Sequence, residues 1–179
     1  MEKVCLITTG ATAPFPELVQ AVLKPESLQQ LADNGFTKLI FQCGQTFKSF
    51  ENLMPTDHKG LDIEVFDFKA DGLNREMRMC QAHEGIANNG LVICHAGMFY
   101  KVAHELQLLT KHKGAGTILD GMRLGLSLIV VPNDSLLDNH QLELAEELEL
   151  QGYATKSTTR LAILFLFSQA FGLWIWINY

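Results

Sequence analysis

The sequence has little positive charge, few cysteines and no long apolar run near its N-terminus. Its 179 residues include 14 lysines and arginines against 20 acidic residues, which gives a net charge of −6. This balance argues against a nucleic-acid-binding protein, which needs a cationic stripe. The four cysteines lie far apart and form no CxxC motif, which excludes a disulfide-dense scaffold and a zinc ribbon and favours reduced thiols. The first apolar run is too short for a signal-peptide core, so we expect the chain to begin in the cytosol.

The composition divides the chain into a mixed body and an apolar tail. The chain is 47% hydrophobic, enough to bury a core, and its length fits one ordinary domain. All of its acidic and basic residues lie in residues 1–160. Residues 161–179 are almost wholly apolar and contain both tryptophans. We therefore predict a folded domain over 1–160 and a separate C-terminal segment over 161–179.

The body alternates short apolar runs with helical patterns. Predicted strands are Val4–Thr8, Phe36–Cys43, Leu61–Phe68, Leu91–Cys94 and Leu126–Val131. Predicted helices begin at Pro16, Pro25, Asn74, Met98 and Asp138, with a further short helix within Gly114–Gly125, and residues 45–60 are predicted to be a loop. The helix from Asn74 is predicted to end at Asn88, and the helix from Asp138 to carry Leu142, Ala145 and Leu148 on its buried side. Strands separated by helices predict an α/β fold, in which a parallel sheet carries helices on both faces.

Ligands of open α/β sheets bind at the carboxyl ends of the strands, so the loops that follow the strands are the candidate sites. In the first such loop, Thr8–Thr12, Gly10 lets the backbone approach a ligand, although this loop taken alone is better explained by a plain tight turn. No GxGxxG motif follows the first strand, which argues against a dinucleotide enzyme.

The second candidate region combines His95 and Gly97 with the turn Gly114–Thr117. Glycine-rich turns at helix starts expose N–H groups that favour an anion such as a diphosphate. Asp120, one turn further on, can accept hydrogen bonds from ribose hydroxyls. The structural alternatives are an ordinary glycine turn and an acidic residue that complements a helix start.

The third candidate loop, Pro132–Gln141, follows the most apolar strand. Asn139, His140 and Gln141 stand together there and can bind vicinal sugar hydroxyls. Helix capping explains one polar residue at this position, not the cluster. No Cys or His stands at ligand spacing from His140, so no metal site is expected.

Several of these runs resemble one enzyme family. They are Cys94–Gly97, Gly114–Asp120 and Val130–Gln141, with Thr8–Thr12 and Phe36–Gly44 in addition, and the resemblance covers about residues 3–155. The family is the catalytic subunit of the UDP-N-acetylglucosamine transferase that adds the second sugar to the dolichol-linked oligosaccharide. It is of the glycosyltransferase family 28 type, and its stretch NDSLLDNHQLELA is the most specific of the matching motifs.

The resemblance implies a fold, an activity and a partner. The fold would be the Rossmann-like, donor-binding half of a two-domain GT-B glycosyltransferase. The activity would be transfer of N-acetylglucosamine from its UDP conjugate to N-acetylglucosaminyl-diphosphodolichol, with inversion and a β-1,4 link, and without a cofactor. A membrane-anchored, acceptor-binding subunit would hold the chain at the cytosolic face of the endoplasmic reticulum, with some protein in the cytoplasm.

The resemblance also implies roles for individual residues. His95, Gly97, Gly116 and Thr117 would face the diphosphate, with Gly10 and Gly114 in the turns beside them. Asp120 would hold the ribose, and residues 139–141 would meet the donor sugar. No residue is identified as the base for the acceptor hydroxyl; His95 is a weak candidate, and phosphate contact or plain packing explains it as well.

The sequence departs from the family pattern at the diphosphate loop. In the family, the motif HAG is followed at once by a small residue, Gly, and Ser or Thr. Here the 17 residues 98–114 intervene. They could form a helical excursion that lets Gly97 and Gly116 meet. Alternatively, they could be a translated intron or gene-model artefact that leaves a catalytically impaired, partner-binding or membrane-tethered chain.

The apolar tail is the second departure, because the family continues with a polar segment and a helix that pairs with the partner. The 19 residues 161–179 approach the roughly 20 that span a bilayer. Lys156 and Arg160 precede them, and aromatic residues stand near their end, as in a C-terminal anchor. A core-packing helix and a frame-shifted end are the alternatives.

Overall fold

The computed structural model describes residues 2–10, 13–81, 90–96, 116–133 and 140–159, of which residue 140 is described by its backbone alone. The strands are β1 (Val4–Thr8), β2 (Lys38–Gln42), β3 (Asp62–Phe66), β4 (Leu91–His95), β5 (Ser127–Val131) and β6 (Thr155–Lys156). The helices are α1 (Pro16–Leu23), α2 (Pro25–Asp33), α3 (Asn74–Met79), α4 (Thr117–Arg123) and α5 (His140–Leu150), with a 3₁₀ helix over Gly44–Leu53.

The strands form one parallel sheet in the order β3-β2-β1-β4-β5-β6. Side chains alternate across the sheet, so Cys5 and Ile7 of β1 join the buried cluster under α1 and α2. Val4 and Leu6 join the cluster that includes residues of α3, α4 and α5. Helices on both faces explain why the central strands are apolar throughout, and they confirm the predicted α/β class.

Proline sets the boundaries of the first two helices. Pro16 and Pro25 each occupy the first helical position, where a missing N–H costs nothing. Lys24, which precedes Pro25, is extended with ψ 142°, because a residue before proline avoids the helical region. Buried Phe15 donates its N–H to Thr46 Oγ1 at 3.1 Å, which ties the start of α1 to the 3₁₀ helix.

The structure differs from the sequence prediction at four elements. Residues 44–53 form a 3₁₀ helix where a loop was expected, and α3 ends at Met79, before the predicted end at Asn88. On α5, Ala145 and Leu148 are buried against the sheet as predicted, whereas Leu142, predicted on the same side, is exposed. The short strand β6 was not predicted.

Among the residues that the structure describes, no helix has the length and apolar character needed to cross a bilayer. The predicted helix from Met98 and the apolar segment 161–179 lie outside the described residues.

Candidate functional site

The strand order reverses direction between β1 and β4, which predicts a crevice between the carboxyl ends of these two strands. The chain runs from β1 outward to β2 and β3, then returns to β4 and continues outward through β5. Loops that leave β1 and β4 therefore diverge to opposite sides, and ligands of such sheets bind at this divergence. Thr8 pairs with Cys94 in the register, so Gly10 and His95 stand just at the crevice.

The structure brings Gly10 and His95 into direct contact. Gly10 has φ +77°, a left-handed conformation that glycine adopts without strain. A Cβ atom at Gly10 would lie 2.5 Å from Cε1 of His95. A side chain at position 10 would therefore displace the imidazole from this position. The predicted approach of a ligand to Gly10 stays a prediction.

His95 is a partly buried histidine at the end of β4. Burial lowers the pKa of His95 below its ordinary value of 6.5 and so favours the uncharged imidazole. A neutral imidazole carries one N–H donor and one acceptor nitrogen, so it can donate to a phosphate oxygen or accept a proton.

A buried glutamine, Gln42, joins the ends of three strands beside Gly10. Its Oε1 accepts the Thr8 hydroxyl at 2.5 Å, and its Nε2 donates to the carbonyl oxygens of Gly10 at 3.1 Å and Asp67 at 2.7 Å. The Gly10 N–H in turn donates to Thr8 Oγ1 at 3.3 Å. The sequence analysis did not identify Gln42, although a polar residue at the carboxyl end of the apolar run LIFQ was a usable signal.

The start of α4 carries the predicted diphosphate and ribose residues. Gly116 precedes α4, Thr117 is its first residue and Asp120 lies in its first turn. Ile118 belongs to the same buried cluster as Cys94 and Ala96 of the β4 end. Burial raises the pKa of the Asp120 carboxyl, although Arg123 Nη1, 3.4 Å from its Oδ1, opposes this shift.

The loop after β5 is tied to the loop after β1. Buried Asn133 donates from Nδ2 to the carbonyl oxygen of Pro14 at 3.3 Å. Its backbone N–H donates to Oε1 of Gln141 at 3.0 Å. Gln141 therefore holds the loop at the start of α5, a structural role beyond the predicted sugar contact, and Asn133 is a polar residue of this loop for which no role was predicted.

Some predicted residues lie outside the described residues, namely Gly97, Gly114 and Asn139, and His140 is described by its backbone alone. The predicted meeting of Gly97 with Gly116 therefore stays a prediction. Within the described ranges, no group of three or more His, Cys, Asp or Glu side chains is arranged to hold a metal ion.

Comparisons with known proteins point to sugar transfer. The model of the glycosyltransferase family 28 C-terminal domain matches residues 101–162. The UDP-N-acetylglucosamine transferase subunit ALG13 of Saccharomyces cerevisiae is 34% identical over 160 residues, which are 85% of this chain and 76% of the relative. ALG13 of Eremothecium gossypii is 36% identical, over 84% of this chain and 72% of the relative.

Two solved structures have a fold similar to that of this chain. The solution NMR structure of an ALG13 superposes with a TM-score of 0.64 and 30% identity, and the match covers 96% of this chain and 88% of the other. The crystal structure of MurG from Acinetobacter baumannii matches with a TM-score of 0.56 over 96% of this chain and 41% of MurG. At 19% identity, the likeness to MurG shows the fold alone.

Proposed function

The chain belongs to the family of UDP-N-acetylglucosamine transferase subunits called ALG13, and from this premise we propose that it binds UDP-N-acetylglucosamine and serves as the donor-binding subunit of a glycosyltransferase. The observation that carries the proposal, beside the relationship itself, is the crevice where His95 lies against Gly10. That crevice stands where open α/β sheets bind nucleotides.

We propose further that the acceptor is N-acetylglucosaminyl-diphosphodolichol and that the transfer inverts the anomeric carbon to make a β-1,4 link. The relatives are named as subunits of a transferase, which supports a partner subunit for this chain. The partner is proposed to be membrane-anchored and to hold this chain at the cytosolic face of the endoplasmic reticulum.

Transfer of a sugar from UDP requires stabilisation of the leaving group and a base for the acceptor hydroxyl. The departing UDP develops negative charge, which preorganised N–H donors stabilise. Neutral His95 can supply one such donor, with the backbone at Gly116 and the Thr117 hydroxyl as others. The acceptor hydroxyl also needs a base. His95 and a residue of the partner subunit are the two candidates for this role.

Titration calorimetry with UDP tests the proposal on the purified chain. We expect saturable binding, lost in Asp120→Ala and retained in Glu2→Ala, which removes an exposed carboxylate just before β1, at the opposite edge of the sheet. Co-expression with the membrane subunit should then give transfer of N-acetylglucosamine to the lipid acceptor. A wild-type chain with no response to UDP would contradict donor binding.

The 17 residues between Gly97 and Ala115 favour a second candidate, a non-catalytic chain that binds its partner or a membrane. Deleting residues 98–114 joins HAG directly to AGT and restores a continuous loop. If UDP binds only after this deletion, the second candidate is correct for the full chain. If UDP binds equally before and after it, the insertion is tolerated.

A further inference from the structure

The side chains of Thr8 and Gln42 and the backbone of Gly10 form a closed ring of hydrogen bonds. This ring assigns a role to Gln42, which lies outside the predicted site. We propose that Gln42 is a positioning residue of the donor site, which holds Gly10, and through Gly10 the His95 imidazole, in the arrangement that receives the nucleotide diphosphate. This inference rests on the proposed function for its ligand, and on the described contacts for its geometry.

The ring leaves Gln42 only one orientation. Its amide nitrogen faces two carbonyl oxygens, those of Gly10 and Asp67, and its amide oxygen faces the Thr8 hydroxyl. Turning the amide over would set its oxygen against both carbonyl oxygens and would remove the donor that each of them has, which is unfavourable. Gln42 and Thr8 are both almost completely buried, so water has little access to their side chains.

Both peptide groups of Gly10 take part in the ring. Its N–H is bound to Thr8 Oγ1 and its carbonyl oxygen to Gln42 Nε2, so the left-handed turn at Gly10 is held from both sides. The His95 ring lies against the open face of this turn, at a distance that excludes even a methyl group. A shift of the Gly10 backbone therefore either pushes the imidazole or removes its support.

A purely structural role for Gln42 makes a different prediction. If Gln42 served only to satisfy polar groups at the sheet edge, its loss would lower stability without changing the environment of the His95 ring. Ser27 offers the matched control, because its buried hydroxyl donates to the Ala21 carbonyl at 2.5 Å, in the α1–α2 region. Ser27→Ala removes a buried hydrogen bond of comparable kind away from the crevice.

The experiment compares Gln42→Met, Thr8→Val and Ser27→Ala by imidazole NMR and by UDP titration. The six histidines are separated by including His95→Gln, which identifies the His95 signals. We expect Gln42→Met and Thr8→Val to shift the His95 ring signals and to weaken UDP binding by about tenfold, as expected when one hydrogen bond from the imidazole to the diphosphate is lost. Ser27→Ala should change neither.

The double variant Gln42→Met/Thr8→Val separates a shared ring from two independent contacts. Residues of one hydrogen-bond network are non-additive, so the double variant should lose little more UDP affinity than either single variant. Additive losses, or unshifted His95 signals with wild-type UDP affinity, would overturn the proposal. Should Gln42→Met fail to fold, Thr8→Val, which removes only one hydroxyl, decides the matter.

The two readouts separate this inference from the proposed function. A wild-type chain that does not bind UDP would contradict the donor-binding proposal. Shifted His95 signals in Gln42→Met would still show that Gln42 positions the His95 ring. A wild-type chain that binds UDP, with a Gln42→Met variant that binds equally well, would retain the function and refute the positioning role.

Discussion

Replacing Gly10 with alanine tests the crevice most directly, and Gly35 provides the matched control. Both glycines have nearly the same left-handed conformation, with φ +77° at Gly10 and φ +78° at Gly35. A Cβ at Gly35 would meet no atom within 4 Å, whereas a Cβ at Gly10 would lie 2.5 Å from His95 Cε1. The two alanine variants therefore share the backbone strain and differ in the contact with the imidazole.

The expected difference follows from these distances. The left-handed conformation costs an L-residue about 1–2 kcal/mol in both variants. At Gly10 the ring must also retreat by about 1 Å to reach ordinary contact, near 3.5 Å. An off-rotamer side chain costs about 0.5–1.5 kcal/mol, so Gly10→Ala should be less stable than Gly35→Ala by roughly that amount. For a domain of this size, this is a difference in Tm of about 1–6 °C.

Thermal and urea unfolding measure this difference, and NMR of the His95 imidazole identifies its origin. The ring signals should shift in Gly10→Ala and stay in place in Gly35→Ala, and UDP affinity should fall only in Gly10→Ala. Equal destabilisation in both variants with unshifted His95 signals would refute the contact and the reasoning built on it.

Four further predictions concern other parts of the fold. Gly90→Ala should lower the free energy of unfolding by more than about 2 kcal/mol in urea titrations, because its Cβ would lie 2.5 Å from the backbone oxygen of Val4. A loss no larger than that of replacing an exposed glycine would contradict this, because it would show that the backbone moves to make room. Because burial lowers the pKa of His95, the unfolded chain binds a proton on this imidazole more tightly than the folded chain does. The wild type should therefore lose stability relative to His95→Gln as the pH falls below about 6.5. A difference in unfolding free energy between the two proteins that is the same at about pH 7 and about pH 5 would contradict this. Gln141→Glu keeps an acceptor for the Asn133 N–H and should unfold near the wild-type Tm, whereas Gln141→Leu should lose about 1 kcal/mol; calorimetry with UDP-N-acetylglucosamine should show weaker binding for both. Burial raises the pKa of all four cysteine thiols, so iodoacetamide should label none of them in the folded protein at pH 8 and all four in urea, as mass spectrometry will show.

Much of the fold could be predicted because it depends on local pattern. Continuous apolar runs are typical of strands buried on both faces, and β1, β4 and β5 lie within one residue of their predicted bounds. Proline at the first helical position located the starts of α1 and α2 for a reason that is equally local. The placement of Leu142 was wrong because apolar residues occur around much of α5, and only packing against the sheet selects which of them are buried.

The candidate site shows where local pattern stops being informative. Its chemistry-bearing loops could be predicted, since the carboxyl ends of parallel strands share one edge of a sheet. The partners of Gln42 could not, because its contacts are with Thr8 and Gly10, more than thirty residues earlier in the chain, and with Asp67, 25 residues later. The same holds for Asn133 and Pro14, which are 119 residues apart.

The sequence by itself determined the α/β class, five of the six described strands and the three loops in which the polar residues stand. Tertiary structure alone decided that Gln42 closes a ring of hydrogen bonds around Gly10 and that the His95 imidazole packs against the Gly10 backbone. The physical reason is that strand periodicity depends on neighbours along the chain, whereas hydrogen bonds and close packing depend on which strands the sheet order and register place side by side.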